Sequence, residues 1–107
     1  MSNDGWFDVA ATDDLDDDDV MKVTAGEAIL ALYRIDGQFY ATADRCTHEK
    51  ASLSDGWVQD GTIECPRHQG VFDIVSGKAL VTPASVAVRT FPTRVEGERV
   101  YIQVREA

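Results

Sequence analysis

The stretch AILALYRIDGQFYATA, residues 28–43, decides the fold class of this chain. Two runs rich in aliphatic and aromatic residues flank the pair Asp36-Gly37. An Asp-Gly pair between two such runs is the strongest short-range signal for a β-hairpin, because both residues readily take the positive φ angles of a type I′ turn. The stretch therefore predicts two antiparallel strands joined at Asp36-Gly37.

The C-terminal part of the chain predicts a second hairpin. Val100, Ile102 and Val104 alternate with more polar residues. This alternation predicts a strand with one apolar face and one polar, solvent-facing face. We expect a partner strand near residues 86–95, joined to this one through the turn Glu96-Gly97-Glu98.

The middle of the chain contains three further residue pairs that are typical of turns, namely Asp55-Gly56, Asp60-Gly61 and Ser76-Gly77. No segment combines a 3.6-residue apolar period with helix caps. Residues 21–31 have the length of a helix but contain Gly26 and β-branched residues. The sequence therefore predicts an all-β fold, a small antiparallel sandwich or barrel.

The length of the chain and its apolar segments indicate the number of domains and the expected location of the protein. A chain of 107 residues is expected to form one domain, 1–107. No apolar run approaches the roughly 20 residues of a membrane span, and the first residues do not resemble a signal peptide. We expect a cytoplasmic monomer that does not bind membranes.

The formal net charge of −9 argues against nucleic acid as a partner, since phosphate contacts need clustered Lys and Arg. Part of the charge comes from the run DDLDDDD, residues 13–19. We expect this run to form a solvated acidic loop. A role in steering the protein toward basic partners stays open.

All cysteines and histidines of the chain lie in a loop-rich region, roughly residues 45–80. Cys46-Thr47-His48 is followed, after sixteen intervening residues, by Cys65-Pro66-Arg67-His68. Chance would rarely place all four ligands this way, so we predict that Cys46, His48, Cys65 and His68 bind metal.

The order of the ligands favours iron over zinc. Finger-type zinc sites commonly supply a cysteine pair and then a histidine pair, whereas each arm here mixes one sulfur with one nitrogen. That order suits a two-iron cluster in which both cysteines hold one iron and both histidines hold the other. A structural zinc module for protein binding remains the alternative from a different class.

The pattern C-x-H-x16-C-P-x-H resembles the Rieske iron–sulfur motif. The longer stretch CTHEKASLSDGWVQDGTIECPRHQGVFDIVSGKAL, residues 46–80, is similar to the Rieske-type ferredoxins of bacterial aromatic-ring-hydroxylating dioxygenase systems, the naphthalene-dioxygenase type especially. The resemblance implies a Rieske-type fold with a cluster-binding subdomain, roughly residues 45–80, inserted in the β scaffold. It also implies one 2Fe-2S cluster, with the cysteines on the inner iron and the histidines on the outer iron near the surface. Glu49 departs from the family pattern, because many relatives have Gly there.

The resemblance implies an electron carrier and not an enzyme. The expected partners are an NAD(P)H-dependent flavoprotein reductase and the terminal Rieske oxygenase of a multicomponent aromatic-ring dioxygenase. Both histidines are committed to the cluster, which leaves none for the mononuclear iron of an oxygenase. The alternative within the same class is the Rieske-like small subunit of a nitrite reductase or of another electron-transfer complex.

The residues around the second arm indicate where the reduction potential of the cluster lies within the Rieske range. Two thiolates instead of four leave the oxidised cluster near neutral, which raises Rieske potentials to about −150 to +300 mV. The respiratory-chain Rieske proteins that the motif resembles carry a Ser and a Tyr hydroxyl where this chain has Gly70 and Phe72, so we expect the low end of that range. Trp57 and Phe72 are expected to be core aromatics, and Pro83 resembles the proline loop that covers the cluster in this family.

Overall fold

The computed structural model describes residues 4–46, 51–67, 70–81 and 86–104. Within them the strands, in chain order, are β1 (Trp6–Ala11), β2 (Asp19–Ala25), β3 (Ala28–Ile35), β4 (Gln38–Ala43), β5 (Trp57–Gln59), β6 (Thr62–Glu64), β7 (Val71–Asp73), β8 (Ala79–Val81), β9 (Thr90–Phe91), β10 (Thr93–Glu96) and β11 (Arg99–Gln103). Short 3-10 turns cover Thr12–Asp14 and Leu53–Asp55. No α-helix occurs in this part of the chain, so the prediction of an all-β fold is confirmed.

The strands form three sheets in which every neighbouring pair is antiparallel. The first sheet has the order β1-β11-β10, the second β2-β3-β4-β9 and the third β5-β6-β7-β8. Along the described ranges, no helix is long and apolar enough to cross a membrane.

The predicted hairpin at Asp36-Gly37 is present. Ile35 lies opposite Gln38, which leaves two residues in the turn. Asp36 has φ 51° and Gly37 has φ 78°, as a type I′ turn requires.

Strand β3 separates two hydrophobic cores. Leu30 and Leu32 point into a core shared with the first sheet, where they pack with residues such as Ile102. Ala31 and Tyr33, on the opposite face of the strand, belong to a second core that is shared with the third sheet. The second sheet therefore lies between the other two, and β3 is a continuous apolar run because both of its faces are covered.

Residues 21–27, for which the sequence predicted no element, form most of β2 and the turn that joins it to β3 in a hairpin. Ala25 lies opposite Ala28, and Gly26 takes φ 64° in the turn. A Cβ at Gly26 would stand 3.2 Å from the ring of Phe7, so this turn also packs closely on the first sheet.

The single strand predicted near residues 86–95 is wrong. Residues 86–89 are not in a strand, and the remainder is divided between β9, which pairs with β4 in the second sheet, and β10, which pairs with β11 in the first. Pro92 separates the two strands. Because proline has no N–H to donate to a ladder, the chain passes from one sheet to the other there. The predicted turn at Gly97 is confirmed, with Glu96 opposite Arg99.

The aspartates of the acidic run are exposed, as predicted, and most of them lie in the connection between β1 and β2. Leu15 within the run is buried in the first core, and Asp19 begins β2. Three of its carboxylates are nonetheless engaged, and one of them, Asp19, accepts a hydrogen bond from the neighbouring Val20 N–H at 2.8 Å. Asp14 accepts a hydrogen bond from the Ala11 N–H at 2.9 Å, and Asp17 accepts one from the Gly37 N–H at 2.8 Å and pairs with the Arg34 Nε at 3.3 Å. The loop is therefore tied to the β3-β4 hairpin.

Candidate metal centre

The first ligand arm leaves the end of β4. The Cys46 N–H donates to the Ala51 carbonyl at 2.9 Å, and Arg45 forms a β-bridge with Ser52. The two ends of this six-residue loop are thus held together by backbone contacts. His48 lies outside the described residues.

The second arm joins β6 to β7 and is closed in the same way. Cys65 follows β6 directly, and its N–H donates to the Gly70 carbonyl at 2.7 Å. Glu64 lies opposite Val71 in the ladder, so the β6-β7 hairpin holds both ends of the loop. His68 and the proline-loop residue Pro83 lie outside the described residues.

The two cysteines are buried in the same hydrophobic cluster. Cys46 is 2% exposed and Cys65 is 0% exposed, and both belong to the core between the second and third sheets. They are not joined by a disulfide. The two arms, separated by sixteen residues in the sequence, therefore bring two buried thiols into the same apolar cluster.

The two aromatic residues expected in the core have different environments. Phe72 is fully buried in the cluster that contains both cysteines, which confirms the prediction for that residue. Trp57 is 59% exposed, so its prediction is wrong. It lies on β5, one of the two edge strands of the third sheet, where a side chain has no neighbouring strand to cover it on one side.

Tyr33 links β3 to β4, the strand that leads into the first arm. Its hydroxyl lies 2.8 Å from the Thr42 Oγ1, and that oxygen in turn donates to the Ala43 carbonyl at 2.9 Å. Burial raises the pKa of Tyr33 well above its usual range, against the opposing effect of the hydrogen bond to Thr42, and the Asp44 charge raises it further. Tyr33 is therefore a neutral, fully buried hydrogen-bonding group in the same core as the cysteines.

Asp44 is a structural residue that the sequence did not single out. It is 3% exposed, and its Oδ1 accepts a hydrogen bond from the Ser54 N–H at 2.9 Å. Its backbone carbonyl accepts one from the Leu53 N–H at 2.6 Å. The 3-10 turn after the first arm is thus fastened to the residue that precedes Arg45 and Cys46. Nothing in the local sequence distinguishes Asp44 from the exposed aspartates elsewhere.

Two glycines allow backbones to approach closely in the third sheet. A Cβ at Gly56 would overlap the Glu64 carbonyl oxygen, and one at Gly77 would overlap that of Val88. The Gly77 carbonyl also accepts the Val88 N–H at 2.8 Å. Gly77 therefore joins the third sheet to the segment that leads back into β9.

The sequence profile of the Rieske 2Fe-2S domain matches residues 5–92. The chain belongs to the Rieske 2Fe-2S domain family. The match covers most of the chain and includes both ligand arms.

Relatives of this Rieske chain are similar over nearly their whole length. The ferredoxin component of the naphthalene 1,2-dioxygenase/salicylate 5-hydroxylase systems of Ralstonia sp. is 42% identical over 99 residues, which are 92% of this chain and 95% of the relative. A chain in the solved complex of reduced oxygenase and oxidised ferredoxin of carbazole 1,9a-dioxygenase is 39% identical, with a TM-score of 0.88 and 94% of each chain covered. The solved ferredoxin of Sphingomonas yanoikuyae B1 is 32% identical, with a TM-score of 0.88, and the match covers 92% of this chain and 98% of that one.

These relatives establish the cofactor and the class of protein. The chain is a Rieske electron carrier with one 2Fe-2S cluster, and it is not an enzyme. The residues fit this cofactor, because two thiols in a common apolar cluster can supply the sulfur ligands of one iron.

Proposed function

We propose that this protein carries single electrons from an NAD(P)H-dependent flavoprotein reductase to the terminal oxygenase of a multicomponent aromatic-ring dioxygenase. The observation that carries the proposal is the convergence of Cys46 and Cys65 in one buried cluster. It occurs in a chain that matches a dioxygenase-system ferredoxin component over 95% of that relative's length. This likeness favours the dioxygenase role over that of a nitrite reductase subunit.

We propose further that Cys46 and Cys65 hold one iron and that His48 and His68 hold the other. The mixed order of the ligands in the two arms and the burial of both sulfurs support this assignment. When bound, the cluster supplies a site that accepts and releases one electron. The protein's own residues exclude water from the thiolates and fix the ends of both loops.

The surroundings support a potential at the low end of the Rieske range. Reduction adds one negative charge, and an apolar environment disfavours added charge. Phe72 is fully buried beside the cysteines and carries no hydroxyl, and Gly70 has no side chain to donate a hydrogen bond to a sulfur. A low potential suits a carrier that passes electrons to an oxygenase.

We also propose that residues 1–107 form one domain, with residues 45–80 as its cluster-binding unit. The placement of β5, β6 and β7 and of both cysteines inside that range supports the division. A monomer in the cytoplasm suits a carrier that meets two partners in turn and draws on NAD(P)H.

The test is reconstitution with purified components. The red-brown holoprotein is mixed with the reductase and the terminal oxygenase of a naphthalene-type system, and NADH consumption is measured together with the hydroxylated product. We expect coupled turnover that depends on this protein and is lost with the apoprotein. Absence of turnover with a fully loaded cluster would contradict the proposal. A colourless native preparation that contains zinc would contradict the cofactor as well.

A further inference from the structure

A groove of about 400 Å³ opens beside the first ligand arm. Its lining combines cationic, acidic, apolar and small polar residues: Lys22, Ile29, Asp44, Arg45, Ala51 and Ser52. We refer to it as the Lys22 groove. Three of its residues, Arg45, Ala51 and Ser52, make the backbone contacts that close the loop of Cys46. A molecule seated in the groove would therefore touch the base of the ligand arm.

The groove is locally positive on a strongly acidic protein. Lys22 and the exposed Arg45 supply two positive charges, and Asp44 supplies one negative charge. The Asp44 carboxylate is nearly fully buried and accepts a hydrogen bond from the Ser54 N–H, whereas the Lys22 side chain is 51% exposed. The Lys22 Nζ lies 3.8 Å from the nearest Asp44 oxygen, beyond the distance of a strong charge-assisted hydrogen bond. The ammonium thus keeps donors for a second carboxylate.

Three other cations of the described ranges are already engaged in ion pairs within the protein. Arg34 binds Asp17 and two backbone carbonyls, Arg94 pairs with Glu96, and Arg99 pairs with Asp8. Arginines bound in this way offer less to a partner than the two cations at the groove. The net negative charge of the protein would repel an acidic partner in general, so attraction at the groove would also orient the encounter.

The apolar part of the groove favours a ligand that also carries an apolar group. Ile29 is 55% exposed and lies in the groove beside Ala51. A side chain that combines a carboxylate with aliphatic carbon, or a carboxylate next to an apolar residue, would satisfy both the cations and Ile29. Glutamate and aspartate beside an aliphatic residue have this chemistry.

We propose that the Lys22 groove is a docking site for an acidic segment of a redox partner, with Lys22 and Arg45 receiving its carboxylate. The inference rests on the proposed electron-carrier function and names the surface through which one of the two partners is held. Docking here places the partner against the base of the loop that begins at Cys46.

Zero-length cross-linking tests this contact directly. A carbodiimide joins a lysine amine to a carboxylate only when the two are in contact, and the chain has three lysines, Lys22, Lys50 and Lys78. The holoprotein is treated with carbodiimide in the presence of the reductase or the oxygenase, and the products are mapped by mass spectrometry. We expect a link from Lys22 to an Asp or Glu of one partner. Links from Lys50 or Lys78 alone, or from Lys22 only to a second copy of this chain, would overturn the inference.

Kinetics supply the second measurement, with a matched control. Lys22→Gln and Lys78→Gln remove the same charge from exposed positions, but only the first lies in the groove. We expect Lys22→Gln to lower the second-order rate constant with one partner about two- to fivefold and to leave the visible spectrum and the rate at saturation unchanged. Equal rate constants for the two variants would overturn the inference.

The same mixtures separate the two proposals. Coupled turnover of the unmodified protein without any effect at Lys22 would contradict the groove and leave the carrier function standing. Failure of the unmodified, loaded protein to pass electrons to either partner would contradict the carrier function, and the groove proposal with it.

Discussion

Gly77→Ala is expected to lower the free energy of unfolding more than any other glycine-to-alanine change at a similar backbone angle, because it disturbs the packing of the third sheet. Gly77 has φ 79°, and the Cβ of alanine there would overlap the Val88 carbonyl oxygen and stand 3.0 Å from the Thr90 Cγ2. The obstructing atom is backbone, and it belongs to the residue whose N–H donates to the Gly77 carbonyl. The overlap can be relieved only by moving the Val88 segment away from the third sheet.

Gly61 supplies the matched control. It has φ 78°, and nothing lies within 4 Å of the position of its Cβ. Alanine at a left-handed angle costs about 1–2 kcal/mol, and this cost applies to both positions. Overpacking against a fixed neighbour adds about 1–3 kcal/mol at Gly77 alone. We therefore expect losses of about 1 kcal/mol for Gly61→Ala and about 3 kcal/mol for Gly77→Ala.

The assay is thermal bleaching of the visible absorbance of the holoprotein, followed at one scan rate with far-ultraviolet circular dichroism. For a chain of this size, 1 kcal/mol corresponds to about 4–8 °C in Tm. Gly61→Ala should lower the midpoint by about 5 °C and Gly77→Ala by more than about 10 °C. Equal shifts for the two variants would refute the reasoning, because they would show that the close approach to Val88 contributes nothing.

The remaining predictions concern the cluster, the scaffold and the acidic loop. Phe72→Tyr should raise the reduction potential by about 20–60 mV in spectroelectrochemistry, because a hydroxyl hydrogen bond worth about 0.5–1.5 kcal/mol would stabilise the reduced state; a lower potential would count against it. His68→Cys should keep some cluster and lower the potential, because it adds a thiolate charge, and an unchanged potential would refute His68 as a ligand. Tyr33→Phe should cost about 1 kcal/mol of unfolding free energy at neutral pH through the lost hydrogen bond to Thr42. Because burial raises the pKa of Tyr33 above its unfolded value of about 10, the unmodified protein should lose stability as pH rises above about 10, and Tyr33→Phe should lose less over the same range; equal pH profiles would contradict this. If the acidic loop, residues 13–19, steers docking, the electron-transfer rate should fall with added salt, since exposed charges are screened beyond about 8–10 Å; a flat profile would exclude steering.

The sequence by itself determined the features that depend on near neighbours along the chain. The Asp36-Gly37 turn follows from the residues at the turn and the strands beside it, because a type I′ turn needs positive φ at two adjacent positions. The Cys and His pattern is equally local, and it led to the Rieske family without any knowledge of the fold.

Other features depend on contacts between sheets and could be found only in the tertiary structure. Trp57 and Phe72 are both aromatic residues in short strands, yet one is exposed on an edge strand and the other is fully buried. The division at Pro92 follows from which strands are available on each side as pairing partners. The Lys22 groove brings together residues from β2, from β3 and from both sides of the first ligand arm. The alternation of side chains along a strand is a local property and can be recognised in the sequence. Whether one face of that strand is buried, and which charges lie beside it, depends on the strands that pack against it. Those strands come from distant parts of the chain.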